Sequence, residues 1–525
     1  MLFNNKPIQN KCESDFCIRA LTCALLLSVT CADSALAQNG SGSKSPANAT
    51  ASQVSTGATS VADPSDSRYR PTGSVSVGAD SSMRGLTFDT FIRQVDRCYP
   101  KLLGADVERK MAGARRLERA GAFDPVLAHV SEYQRVQDIF EPGKAKNAVH
   151  NEGRVDLLTR SGIKVFTAFR LNPNDTKTPF VPTGKAGEYS AGVVMPLMRG
   201  LGINEKTAAE QRAVLGEPLA EQVFGGSRLE ILLKAAATYW DWVGAKARVD
   251  VARNLLSLAE ARVEQIKLRV KNGDAPQLDV AESEQEIQRR KAAVIKAERE
   301  FQKFSLSLSV YFWDASGAPD KVPEIAAVPP LTPLPSLLPE SAWLQGRVLA
   351  TSIRPELKRI EVERKQARVD LRLAQNMMLP AVDAYLAQGA DTGSQGIGAV
   401  VRGGVSISAP LRQRTARGQV QAAQLKLQKL NFDEKTEKLR IQAEVDDTVS
   451  AINTSAERYF ATATEIARAK DVEKGERLRF SAGDSTLFLV NQRERTTAEA
   501  EMRLIDTHVD YLQALAAFKA VTCQL

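Results

Sequence analysis

The stretch RFSAGDSTLFLVNQRERTTAEAEMRLIDTHVDYLQALAAFKAV, residues 479–521, sets one turn signal, Gly483-Asp484, within sequence that otherwise favours helix. Glycine suits a helix reversal because it tolerates positive φ. A second such signal, Asn272-Gly273-Asp274, lies 210 residues upstream of Ala482-Gly483-Asp484. Working outward from the two, further marks repeat in the same order. Met195-Pro196-Leu197 answers Ala409-Pro410-Leu411, Asp124-Pro125 answers Leu379-Pro380, and Tyr99-Pro100 with Leu102 answers Arg354-Pro355 with Leu357. The chain is therefore read as a duplication. The offset falls from 255 to 214 between the second and third marks, so the first half carries about 40 extra residues between Pro125 and Pro196. These either enlarge the loop end of a strand pair or add a short subdomain.

Each half predicts the same elements. Residues 100–121 and 355–378 read as helices opened by proline in the first turn, where its missing N–H costs nothing. Pro125, Pro196, Pro380 and Pro410 bound strand-like stretches, PVLAHVSEYQ and YSAGVVMP in one half, PAVDAYLAQGA and VRGGVSISAP in the other. Val405 to Ser408 alternate with period two, and about ten residues is the length of a tilted membrane-crossing strand, although a soluble hairpin has the same pattern. From 228 to 271 apolar residues recur at a step near 3.7, which predicts a helix that is nearly straight or supercoils slightly right-handed. If continuous from 206, it would be about 100 Å long. A kink is expected near Gly216-Glu217-Pro218 and Gly225-Gly226. The chain then returns over 276–313, and the second half does likewise around Gly483-Asp484.

The remaining segments set the boundaries. Lys6, Lys11 and Arg19 precede an apolar run, Ala20–Val29, and a small-x-small Ala35-Leu36-Ala37, so 1–37 reads as a cleaved signal peptide. Residues 38–85, rich in Ser, Gly, Ala and Thr, read as a flexible arm. The first repeat is placed at 86–313 and the second at 346–525. Between them, 314–345 is a Pro-rich connector. Signal removal leaves Cys98 and Cys523, which in an exported protein either pair or stay as two small buried hydrophobes.

With 525 residues, 70 Lys+Arg, 62 Asp+Glu and a formal charge of +8, positive charge is scattered rather than patched, which argues against nucleic-acid binding. Arg262–Lys271 and Gln288–Arg299 interleave with Glu as solvated helix faces. His129 falls on a strand, His150 in a loop and His508 on a helix, none at a catalytic spacing. No phosphate loop, HExxH or CxxC is present, so neither an enzyme, a cofactor nor a metal site is expected.

The repeated Pro, Pro, Pro-Leu, Gly-Asp order, together with LTFDTFIRQVDRCYP (86–100), RPEL (354–357) and the ending quoted above, resembles the TolC family of outer-membrane efflux proteins over residues 86–525. The resemblance implies a mainly α fold with β. Three protomers would give four strands each to a shared twelve-stranded β-barrel, and their duplicated helical hairpins would form a periplasmic α-barrel. A closed barrel satisfies its backbone within lipid without any transmembrane helix. The implied function is a passive exit duct of a tripartite efflux or type I secretion system. It would be opened by a periplasmic adaptor (membrane fusion) protein and powered by an inner-membrane transporter. The adaptor would meet Asn272, Gly273, Asp274, Ala482, Gly483 and Asp484. The tunnel constriction would fall after the second turn, at Leu487, Phe488, Leu489 and Gln492, apolar where some members are acidic; carboxylates appear instead at Asp279 and Glu282. Cys98 and Cys523 would both lie at the tunnel equator, a candidate disulfide. The alternative is a periplasmic adaptor or other coiled-coil structural protein, which predicts a single hairpin with a lipoyl-like β domain.

Overall fold

The computed structural model describes residues 86–525 apart from 138–142, 173–181, 275, 323, 325–326 and 394–395. The signal peptide and the arm expected at 1–85 lie outside the described residues. Each half opens with helices: α1 (Phe88–Cys98) and α2 (Pro100–Ala120) in the first, α5 (Glu340–Ile353) and α6 (Pro355–Asn376) in the second. Pro100 and Pro355 occupy the first turns of α2 and α6 as expected. The connector ends sooner than placed, since α5 already begins at Glu340.

Six strands form one antiparallel meander in the order β1 to β6: β1 (Val126–Gln137), β2 (Ala145–Leu158), β3 (Lys164–Leu171), β4 (Glu188–Pro196), β5 (Ala381–Gly393) and β6 (Gly396–Ser408). The four expected strands are β1, β4, β5 and β6, and the four prolines stand at their boundaries. The extra residues of the first half account for the difference. They fold as β2 and β3, inserted into the ladder between β1 and β4, so the sheet has six strands where four were expected. His150, read as a loop residue, is a buried member of β2.

The long helices follow the sheet. In the first half α3 (Glu205–Lys271) and α4 (Gln277–Ser309) form one hairpin; α7 (Arg414–Ser481) and α8 (Leu487–Val521) form the other. Asn204 caps α3 by accepting from the backbone N–H of Lys206 at 2.9 Å and Thr207 at 3.0 Å. The helix is continuous as far as Lys271: α3 runs through Pro218 without interruption. Its neighbours hold the segment on both sides. Arg116 pairs with Glu217 at 3.2 Å, Arg212 with Asp370 at 2.9 Å, and a Cβ at Gly225 would stand 3.3 Å from the Pro355 ring.

The main core lies where the helices of both halves meet. Phe91 and Val95 of α1, Leu232, Tyr239 and Trp242 of α3, Leu308 of α4, Ile441 and Ile452 of α7, and Leu512 of α8 are all buried there. Each such side chain contributes about 1.5–3 kcal/mol by leaving water. The Tyr239 hydroxyl donates to the Leu86 carbonyl at 2.7 Å, and burial pushes its pKa well up. The Pro-rich connector is tied down on the same core. Val328 is buried, the Leu338 N–H donates to Asn453 at 2.8 Å, and His508 Nε2 meets the Pro333 carbonyl at 2.8 Å.

Cys98 and Cys523 are both free, so the candidate disulfide is not formed. The two thiols sit among different neighbours, Cys98 beside Asp314 and Arg97, Cys523 beside Arg354 and Glu356. Burial raises the pKa of each.

Candidate functional site: two helical tips and a two-faced sheet

The tips close identically. In the first, the N–H groups of Asn272, Gly273 and Asp274 donate to the carbonyls of Leu268, Val270 and Arg269 at 3.1, 3.0 and 2.9 Å. In the second, those of Ala482, Gly483 and Asp484 donate to Leu478, Phe480 and Arg479 at 3.0, 3.2 and 2.9 Å. Gly273 and Gly483 have φ of +83° and +87°, which is what requires glycine; a Cβ at either would meet nothing within 4 Å. All three residues of each tip are exposed. Arg269 and Arg479 each reach forward to the Asp carbonyl of their own turn, and the Arg269 guanidinium also lies 5.3 Å from the Phe480 ring, linking the two tips. Sequence reasoning missed these arginines, although Leu268-Arg269 and Leu478-Arg479 carry the same 210 offset as the glycines.

Behind the tips, four helices converge on one carboxylate. Glu494 of α8 is only 1 % exposed and pairs with three arginines. Arg290 of α4 donates to it at 2.9 Å, Arg477 of α7 at 3.1 Å, and Arg262 of α3 is also in contact. Asn491 accepts from Arg262 at 2.8 Å, while Glu286 holds Arg290 at 3.0 Å and Glu473 holds Arg477 at 2.6 Å. Burial, reinforced by the neighbouring Arg290 and Arg477, pulls the Arg262 pKa down to about 10. Arg262 and Arg290 belong to the runs read as solvated faces. That reading is corrected: Arg290 is 2 % exposed, because each faces the carboxylate of a helix far away in sequence.

The residues expected at a constriction divide. Leu487 is buried in the protomer, whereas Phe488, Leu489 and Gln492 are exposed on α8. Asp279 and Glu282 are half-buried on α4, and burial, with Asp279 and Glu286 close by, raises the Glu282 pKa.

The sheet has two unlike faces. On one stand Leu127, Tyr133, Val155, Leu157, Val165, Phe169, Tyr189, Val193, Leu386, Val401, Val405 and Ile407, paired row by row as Leu127 with Val155, Phe169 with Tyr189 and Val193 with Leu386. Many are openly exposed, Val401 at 68 % and Ile407 at 74 %. The opposite face carries Glu152, Arg154, Asp156, Arg170, Glu188, Asp383 and Arg402. Glu188, almost wholly buried, is clamped by Arg170 at 2.5 Å and Arg402 at 3.0 Å, and with Glu152, Arg154 and Tyr385 it lines a concavity of about 250 Å³. Small residues make room for the large ones lying flat on this face: a Cβ at Gly192 would come within 2.7 Å of the Phe166 ring, and one at Gly404 within 2.7 Å of Tyr385.

No family model and no curated protein matches the sequence. Solved structures do match. The outer-membrane channel OprN aligns with 83 % of this chain and 89 % of its own, at TM-score 0.58 and 14 % identity. The outer membrane protein VceC of Vibrio cholerae aligns over 83 % and 95 %, at 0.60 and 14 %. The open state of the MtrE outer membrane channel of Neisseria gonorrhoeae aligns over 83 % and 88 %, at 0.59 and 15 %. The chain has the fold of these outer-membrane channels. In this channel fold the two-faced sheet and the paired helical hairpins are the candidate working parts, and among the described residues no group of His, Cys, Asp and Glu is arranged to hold a metal ion.

Proposed function

We propose that this protein is an outer-membrane exit duct for export across a Gram-negative envelope, working as a homotrimer whose helical hairpins extend into the periplasm. The observation that carries the reading is the sheet: a largely apolar face on one side, interrupted by His129, Ser131 and Arg135 on β1 and by Asn147 and Asn151 on β2, and a charged face on the other, joined to two long helical hairpins. That combination suits strands with lipid outside and water inside. An adaptor with a single hairpin and a lipoyl-like domain would need neither the duplicated hairpin nor the apolar wall.

The exposed tips at Gly273 and Gly483 are the docking points for a periplasmic adaptor. Phe488, Leu489, Gln492, Asp279 and Glu282 flank the narrow end of the tunnel. The Glu494 cluster holds the two hairpins of a protomer together just behind the tips, so an adaptor that spreads the tips must work against it. Such a duct is passive, and an inner-membrane transporter supplies the energy. Fractionation of cells producing the full chain tests this. A detergent-stable trimer recovered from outer membranes is expected; recovery in the soluble periplasm would overturn the reading.

A further inference from the structure

Among the described residues of one protomer two edges of the sheet are left open, β1 and β6, both long. Six strands are too few to close on themselves, since about eight make the smallest side-chain-filled barrel. An open edge facing lipid would leave its backbone groups unsatisfied. In a six-stranded meander β1 and β6 run in opposite directions, so β6 of one copy can pair antiparallel with β1 of the next.

The inserted hairpin is built into this wall rather than hung from it. β2 pairs with β1 from Val126↔Asp156 to Gln137↔Ala145, and β3 pairs with β4 from Lys164↔Val194 to Arg170↔Glu188. Its residues continue both faces of the sheet, Val155 and Phe169 on the apolar side, Arg154 and Arg170 on the charged side. The Arg170–Glu188–Arg402 bridge ties β3 to β4 and β6 across β5. At the helical end, the β2–β3 turn is fastened to the start of α3. The Arg160 carbonyl accepts from Thr207 at 3.0 Å, its guanidinium pairs with Glu210 at 2.8 Å, and the Ser161 carbonyl accepts from the Gly202 N–H at 3.0 Å. Gly162, with φ of +94°, lies so close to the Gly200 carbonyl that a Cβ would stand 2.3 Å from its oxygen.

We propose that the β2–β3 hairpin is a barrel-wall element, so that three copies, each giving six strands, close an eighteen-stranded pore. This rests on the outer-membrane trimer proposed above and deepens it. At a strand spacing of about 4.8 Å and a tilt of about 40°, the backbone diameter grows from about 24 Å for twelve strands to about 36 Å for eighteen. The duct would then pass wider cargo through the outer membrane than a twelve-stranded barrel admits.

Tryptophan fluorescence in vesicles of brominated phosphatidylcholine tests it, because the four native tryptophans, residues 240, 242, 313 and 343, lie outside the sheet. Val155→Trp on β2 and Val401→Trp on β6 should add emission that brominated acyl chains quench to a similar extent. Quenching at Val401→Trp alone would overturn the wall assignment while leaving the outer-membrane reading intact. Quenching at neither would remove both. Should a substitution prevent assembly, electron cryomicroscopy of the unaltered trimer in lipid nanodiscs decides by strand count: eighteen supports the proposal and twelve overturns it.

Discussion

Glu494 on α8 and Arg290 on α4 form an ion pair 2.9 Å long in which both side chains are almost wholly buried, and the pair joins the helical hairpins of the two repeats. Breaking one partner of such a pair leaves the other charge uncompensated, at a cost of about 3–5 kcal/mol. Here Arg290 and Arg477 would keep Glu286 and Glu473, whereas Arg262 would lose the carboxylate it pairs with. Glu494→Ala should therefore lower the thermal midpoint of the helical circular dichroism signal and raise single-channel conductance in planar bilayers. Glu494→Gln, which still accepts a hydrogen bond, should fall between it and the parent. An unchanged midpoint in the alanine variant would show that the cluster does not hold the hairpins.

The tip glycines are held to positive φ by three backbone hydrogen bonds each, in open space. Gly273→Ala and Gly483→Ala should each cost about 1–2 kcal/mol through left-handed strain alone, and Gly→Asn clearly less. Urea unfolding of the single variants checks the order; equal effects of Ala and Asn would count against the conformational origin.

Gly244 of α3 meets Val509 of α8 so closely that a Cβ would stand 2.5 Å from Val509 Cγ2. Gly244→Ala should destabilise by about 1–3 kcal/mol through overpacking. Val509→Ala should recover part of that loss in the double variant, a non-additivity that a double-mutant cycle measures directly. Strict additivity would place the damage elsewhere.

His508 is buried against the connector, and burial outweighs its hydrogen bond to Pro333 in lowering its pKa below the ordinary 6.5. Only the unfolded chain then takes up a proton as pH falls through 6.5, so the contribution to stability is present above that value and lost below it. The urea midpoint should drop more between pH 7.5 and 5.5 in the parent than in His508→Gln. Parallel drops would mean that His508 is not the group responsible.

The duplication was legible because its marks are residues whose backbone chemistry fixes an element boundary. Pro125 and Pro380 precede β1 and β5, Pro196 ends β4, and Gly273 and Gly483 turn the hairpins. The segment that escaped, AKNAVHNEGRVDLL, has Asn, Gly and Glu where a strand usually shows β-branched residues, and it earns its place by pairing on both sides. Glu494 and its arginines were missed for a related reason. On a single helix each looks like a solvent-facing charge; only the meeting of four helices shows otherwise. At Pro218, contacts from α2 and α6 accompany a helix that stays continuous.

The antiparallel register also fixes the parity of the sheet. The start of β1, the β2–β3 turn, the end of β4, the start of β5 and the end of β6 all fall along the same border of the sheet, the one from which the helices depart. Adding a hairpin keeps every helix at that border, whereas adding one strand would send α3 off from the opposite border and strand its hairpin on the wrong side. A sheet of this topology can therefore widen only in steps of two strands, and the first half of this chain has taken a single such step that the second half has not.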